Sequence, residues 1–148
     1  DQWQALRADP SLTRNAVEEA IRARPTTTWA TRETLEEIEV NGLEIPQGTT
    51  VHLLVHAAAR DPAICDDPAF DIRVRRKAHF GFGGGAHSCL GAQVARADIG
   101  AVLGVLSQRW TEVRCARTAS FLPETGNTGP VRLPLRVVRP EQGPFSVR

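Results

Sequence analysis

Phe80-Gly81-Phe82-Gly83-Gly84-Gly85-Ala86-His87-Ser88-Cys89-Leu90-Gly91 is a glycine-rich loop that carries a cysteine to the start of an apolar helix, and the reading of the whole chain turns on it. Unpaired backbone N–H groups and the positive end of a helix favour an anion at such a place, and a thiolate is the form that metals and electrophiles take. Gly83, Gly85 and Gly91 allow backbone conformations and close approaches that a Cβ blocks, so a flat ligand can lie against the loop. His87, two residues before the cysteine, can donate to an anionic group on that ligand.

On physical grounds alone three readings stand open. Gly81, Gly83 and Ala86 satisfy the loose dinucleotide pattern, but that pattern needs a helix opening within the glycines, and here the helix begins after Cys89. His87 and Cys89 supply two zinc ligands, yet no second pair follows at finger-like spacing. The third reading is a glycine-rich turn with an inert cysteine.

Downstream, Leu90 to Arg109 spreads Val94, Ile99, Val102, Leu103, Val105 and Leu106 around most of a helical wheel, with polar positions limited mainly to Gln93, Arg96, Ser107 and Gln108. A helix apolar nearly all round is expected to be buried in a larger body. Gly100 and Gly104, one turn apart, imply close approach by another element, because each costs up to ~1 kcal/mol against alanine there. From Trp110 the chain alternates and turns, with Thr125-Gly126-Asn127 and Thr128-Gly129-Pro130 between short strands.

Upstream, residues 56–79 carry scattered prolines, aspartates and basic side chains with little periodicity and read as a meander. Ile38 and Val40, then Asn41-Gly42, then Leu43 and Ile45, predict a hairpin with a type I′ turn, and Thr49 to Val55 reads as a strand buried on both faces. Val17, Ala20 and Ile21 predict a helix over Leu12 to Arg22, stopped by Pro25.

The 148 residues hold 18 basic and 17 acidic side chains, a net charge of +1, 41% hydrophobic residues and 12 glycines. That length suits one domain, and the near balance of charge argues against nucleic acid as a partner. No apolar run reaches the ~20 residues of a membrane span, since Arg96 and Asp98 break the best candidate. Three cysteines, Cys65, Cys89 and Cys115, fit a reducing compartment better than a disulfide scaffold, so a cytoplasmic location is expected, with Cys65 and Cys115 inert. The chain starts at Asp1 and contains no methionine, from which a removed start or a piece of something longer is expected.

The spacing Phe-Gly-x-Gly-x-His-x-Cys-x-Gly, from Phe82 to Gly91, resembles the haem-binding signature of the cytochrome P-450 monooxygenases. Glu19-Ala20-Ile21-Arg22 is similar to that family's Glu-x-x-Arg helix. The Arg32 to Gly42 segment, Ala59-Arg60-Asp61-Pro62 and Phe70-Asp71 also resemble the bacterial members, so the likeness runs through nearly all of the chain.

The resemblance implies an α+β, mainly α, fold. It would be the C-terminal haem-binding portion of the family's single domain: Glu-x-x-Arg helix, small antiparallel β region, meander, cysteine loop, long buried helix and C-terminal β hairpins. It implies haem b, iron protoporphyrin IX, with Cys89 as the thiolate ligand of the iron and Phe82 packed near the sulfur. His87 and Arg32 match positions that hold the haem propionates, and Gly83, Gly85 and Gly91 shape the loop. Glu19 and Arg22 match a buried ion-pair network that keeps the fold. Bacterial members usually place a basic residue where Ala69 stands, so the network is expected to lack its third member there. Thr28 falls where the family lines its substrate pocket, and Arg73, Arg75, Arg76 and Lys77 form a basic cluster suited to a ferredoxin-type or flavoprotein electron donor.

Full members of the family are far longer, and their oxygen-activating distal residues precede the region that this sequence matches. No residue here takes a catalytic role on that reading. The expected function is that of a haem-thiolate monooxygenase inserting one atom of dioxygen into a small organic substrate, present as a C-terminal fragment. The alternative is a non-catalytic truncated remnant with weak or no haem binding. Alone, the 148 residues are expected to be marginally stable, because the helix after Cys89 lacks enough neighbours to cover it.

Overall fold

The computed structural model describes residues 1–123 and 125–140. Among the described residues, four α-helices and eight short strands follow one another. Helix α1 (Gln2–Ala8) is capped by Asp1, whose side chain accepts from the Trp3 amide. A 3-10 turn at Pro10–Leu12, capped by Asp9, feeds α2 (Thr13–Ala23). The expected helix over Leu12 to Arg22 is therefore displaced by one residue at each end, because the 3-10 turn absorbs Leu12 and Pro25 leaves room for Ala23. Ala16, Val17, Glu19, Ile21, Arg22 and Ala23 of α2 are buried, so one helix face and two charged side chains enter the interior together.

Strands β1 (Ala30–Glu33) and β4 (Thr50–Leu53) pair antiparallel with Arg32 opposite Val51. Between them lies the hairpin β2 (Ile38–Val40) and β3 (Leu43–Ile45). Asn41 and Gly42 both adopt positive φ, 51° and 80°, which is the type I′ geometry expected of the pair. The expected strand Thr49 to Val55, buried on both faces, is corrected: β4 stops at Leu53, helix α3 starts at Val55, and Leu53 and Leu54 are exposed. The side chains of Leu53 and Leu54 find no cover on this two-stranded sheet, so the apolar composition does not translate into burial.

Helix α3 (Val55–Ala58) opens the meander, and a 3-10 turn at Gly85–His87 precedes α4 (Ala92–Arg109), for which Gly91 is the N-cap. The tail makes β5 (Glu112–Cys115) with β8 (Leu135–Val138) and β6 (Ser120–Phe121) with β7 (Pro130–Arg132), the short antiparallel pairs expected there.

Leu6, Ala16 and Ile72 form the core, with Ala5, Leu12 and Leu103 packed on them, so α1, α2, α4 and the meander meet at one point. Three side chains of α1 tie it to the far end of α4: Trp3 Nε1 donates to the Trp110 carbonyl at 3.1 Å, Gln4 to Thr111 at 2.7 Å and Arg7 to Ser107 at 3.1 Å.

The helix after Cys89 lacks cover among the described residues, as its apolar wheel leads us to expect. Of α4 only Ala92 and Ser107 are buried, while Leu90 just before it is fully exposed and Val94, Val102 and Val105 are more than half exposed. Gly100 does meet another element, since a Cβ there would lie 3.8 Å from Val17 Cγ2, but Gly104 has open space beside it among the described residues. The apolar wheel is thus covered on the α1 and α2 side and bare elsewhere.

Candidate functional site

Cys89 sits between the 3-10 turn and the first turn of α4, and its amide donates to the Phe82 carbonyl at 2.9 Å. Gly83 and Gly85 both have φ of 71°, a conformation that side chains with a Cβ rarely adopt. Beside Gly85 there is open space, so the loop presents bare backbone. The Cys89 and His87 side chains are exposed and form no hydrogen bond among the described residues. Gly91 lies against Cys89, with the sulfur 3.9 Å from where a Cβ would stand.

Arg32 stands on β1, exposed, and its guanidinium donates only to the neighbouring Thr31 carbonyl, at 2.7 Å. No hydrogen bond or ion pair joins it to the cysteine loop among the described residues. Thr28 is half-buried and its hydroxyl donates to the Gly126 carbonyl at 3.3 Å, while its amide reaches the same oxygen at 2.8 Å. Thr28 is therefore engaged by the C-terminal segment rather than free.

Against the meander, Arg22 and Glu19 are buried at 3% and 2% exposure and form a two-bond fork, Nε to Oε2 at 2.7 Å and an Nη to Oε1 at 2.8 Å. Arg22 also donates to the Ala59 and Pro68 carbonyls, each at 3.1 Å, and the Asp71 amide donates to Glu19 at 2.9 Å. Burial by itself would raise the Glu19 carboxyl, but the Arg22 fork, the Asp71 amide and the Arg76 charge more than offset it and hold Glu19 below the usual glutamate range.

Arg76 belongs to this network, which corrects two expectations at once. Its Nε lies 3.8 Å from Glu19, and its guanidinium donates to the Ala69 carbonyl at 2.6 Å. The third charge that Ala69 does not supply arrives from seven residues downstream, and Arg76 faces inward rather than outward with the docking cluster. Its buried Nε has no hydrogen-bond partner among the described residues, the distance to Glu19 being too long for one. Arg75 and Lys77 are exposed, and Arg73 is half-exposed beside Asp71 at 3.5 Å. These three line an open groove together with Asn15, Gln93 and Arg96.

Sequence reasoning missed Glu18 and Arg96. Arg96 forks onto Glu18, with Nε to Oε1 at 2.6 Å and an Nη to Oε2 at 3.2 Å, and its guanidinium carbon lies 4.6 Å from the Phe82 ring centroid. The Arg96 hydrogen bond, more than any other cause, holds the Glu18 carboxyl below its ordinary range. His79 Nε2 is 3.2 Å from Glu18, and its Nδ1 accepts from the Gly81 amide at 3.1 Å. The one available signal was helical spacing, which puts Arg96 on the polar stripe of α4 one turn after Ala92.

Comparison with known proteins is consistent throughout. Residues 3–119 match the family model described as Cytochrome P-450. The chain is 42% identical over 139 residues to luteothin monooxygenase of Streptomyces thioluteus, covering 92% of this chain and 34% of that one. It is 38% identical over 117 residues to the biotin biosynthesis cytochrome P-450 of Bacillus subtilis (strain 168), covering 78% and 30%. Among solved structures, P-450 RauA complexed with a biosynthetic intermediate of aurachin RE superposes with a TM-score of 0.88 at 32% identity, covering 94% of this chain and 34% of that one. The chain thus spans about a third of the length of the relatives it matches.

Proposed function

Because the chain belongs to the cytochrome P-450 family, we propose that it acts as the C-terminal, haem-binding part of a haem-thiolate monooxygenase. Residues 1–148 form part of a single domain on this reading, with the distal part of the pocket supplied by other residues. The observation that carries it is the exposed Cys89 thiol on a loop opened by left-handed Gly83 and Gly85, with Arg32 and His87 free of any ion pair among the described residues.

That donor set fits haem b. A soft thiolate suits the iron, and a guanidinium and an imidazole suit two propionates. Cys89 would ligate, Arg32 and His87 would hold the carboxylates, and Phe82 would screen the sulfur from water, with Gly83, Gly85 and Gly91 leaving room for the ring. Bound there, the iron porphyrin supplies one-electron and dioxygen chemistry, and a thiolate ligand favours O–O cleavage. Glu19 and Arg22 keep the fold by tying α2 to the meander. Arg73, Arg75 and Lys77 present positive charge to an acidic ferredoxin-type or flavoprotein donor, whose two electrons, together with two protons from solvent, balance insertion of one oxygen atom of dioxygen into a small organic substrate and release of the other as water. Thr28 serves the substrate pocket only if the Gly126 bond is exchanged. A cytoplasmic location agrees with three unpaired cysteines, and no helix among the described residues is long and apolar enough to cross a membrane.

The bare apolar side of α4 favours a second reading, a truncated remnant that binds haem weakly or not at all. The ferrous carbon monoxide difference spectrum of the haem-reconstituted chain separates the two. A thiolate-type Soret band that vanishes in Cys89→Ala supports the monooxygenase reading. Absence of the band, with haem lost on gel filtration, overturns it in favour of the remnant.

A further inference from the structure

Two adjacent glutamates of α2 point to different places. Glu19 faces the meander through Arg22 and Asp71, whereas Glu18, about 100° further round the helix, faces the segment that leads to Cys89. Glu18 takes the Arg96 fork at 2.6 and 3.2 Å and the His79 imidazole at 3.2 Å. Each of those partners then touches the loop. His79 Nδ1 accepts from the Gly81 amide, so the ring proton is on Nε2 and points at Glu18. Arg96 lies over the Phe82 ring at 4.6 Å, and the Phe82 carbonyl receives the Cys89 amide at 2.9 Å.

The same stretch is pinned a third time from α2, because a Cβ on Gly81 would stand 2.5 Å from Ile21 Cγ2. Ile21 lies three residues after Glu18 and shares its face of the helix. The loop's entry, residues 79–82, is thus gripped by one turn of α2, and Arg96 brings α4 into the same grip.

We infer that Glu18 and Arg96 are positioning residues for Cys89: they fix Phe82 and Gly81, and so the height and direction at which the cysteine leaves the loop. This rests on the haem reading only for its consequence at the sulfur; the grip itself is a property of the polypeptide. A bidentate Arg–carboxylate pair is directional, and a stacked guanidinium cannot be replaced by an ammonium of the same charge. Arg96→Lys should therefore restore part of what Arg96→Gln loses.

Amide hydrogen exchange of the 148-residue chain tests it, comparing the parent with Glu18→Ala, Arg96→Gln and Arg96→Lys. The Gly81, Gly83 and Cys89 amides are expected to exchange several-fold faster in Glu18→Ala and Arg96→Gln and less so in Arg96→Lys. The Asp71 amide, held by Glu19, is the internal reference and should keep the parent rate. If Glu18→Ala loses its helical circular dichroism, the two Arg96 variants decide. Loop amides at the parent rate overturn the inference, as does equal acceleration of the loop and Asp71 amides, which would mark a general loss of stability. With haem added, the thiolate-type share of the ferrous carbon monoxide spectrum should fall several-fold in Arg96→Gln and partly recover in Arg96→Lys. A parent without that band sinks the haem reading and leaves the exchange result to decide the grip. A parent with the band and variants that match it overturn the positioning role.

Discussion

Gly81 and Ile21 are packed so closely that no side chain fits between them: a Cβ at Gly81 would sit 2.5 Å from Ile21 Cγ2 and 3.0 Å from the His79 ring. Gly81→Ala should therefore destabilise the chain by about 1–3 kcal/mol, the usual cost of overpacking. The penalty should shrink when Ile21→Ala is also present, because the clashing methyl is then gone. A double-mutant cycle by urea unfolding measures it, and equal penalties in both backgrounds would refute the assignment.

Arg22 is the charge that the interior depends on. Arg22→Ala strands a buried Glu19 and should cost about 3–5 kcal/mol, a large share of a total that is typically about 5–15 kcal/mol. Arg22→Lys should be nearly as costly, because one ammonium cannot replace the fork to Glu19 together with the bonds to Ala59 and Pro68. Urea midpoints of both variants provide the check.

Acid should unfold the chain through its carboxylates. Glu18, Glu19 and Asp71 are all held below their ordinary ranges, so the unfolded chain binds protons that the folded chain refuses. Their contribution is fully present above the ordinary carboxylate values of about 3.9–4.3 and is lost as pH falls through the lowered folded values. Stability measured from about pH 6 downward should decline in that window, and Glu18→Gln should flatten the slope.

Haem retention should divide the loop residues by role. If the proposed haem site holds, Arg32→Ala and His87→Ala would each remove a donor to a propionate worth about 1.5–3 kcal/mol, so each should weaken haem affinity by about 10- to 100-fold and leave the thiolate-type band in place. Cys89→Ala should abolish the band itself. Haem transfer to a scavenger protein measures the first pair and absorbance the second.

The bare side of α4 should govern solubility. Val102→Lys and Val105→Glu replace half-exposed valines and should change stability by no more than about 0.5 kcal/mol, while raising the concentration at which the chain stays monodisperse. Light scattering against concentration tests it.

Much of this was legible from residue order. Asn41-Gly42 fixed its turn because only a few residue types accept two successive positive φ values, and the cysteine loop was legible because its spacing is long and specific. Pro25 placed the end of α2 within one residue. What could not be read was pairing over long separations. Glu18 meets Arg96 across 78 positions and Arg76 meets Glu19 across 57, and no local pattern encodes either. Composition misled for Thr49 to Val55, since an apolar strand announces that it needs cover without saying whether cover is at hand.

The bonds from α1 to the end of α4 reach further still, with Trp3 and Trp110 separated by 107 positions. At roughly 5–20 residues per second, a nascent α1 waits on the order of 5–20 s before its carbonyl partners leave the ribosome. Until then Leu6 has no Leu103 to pack beside, and α1 spans only 7 residues, too short to persist as an isolated helix. Helix α1 is thus made well before the partners that secure it, and the interval in which it stands open is set by synthesis rather than by its own sequence.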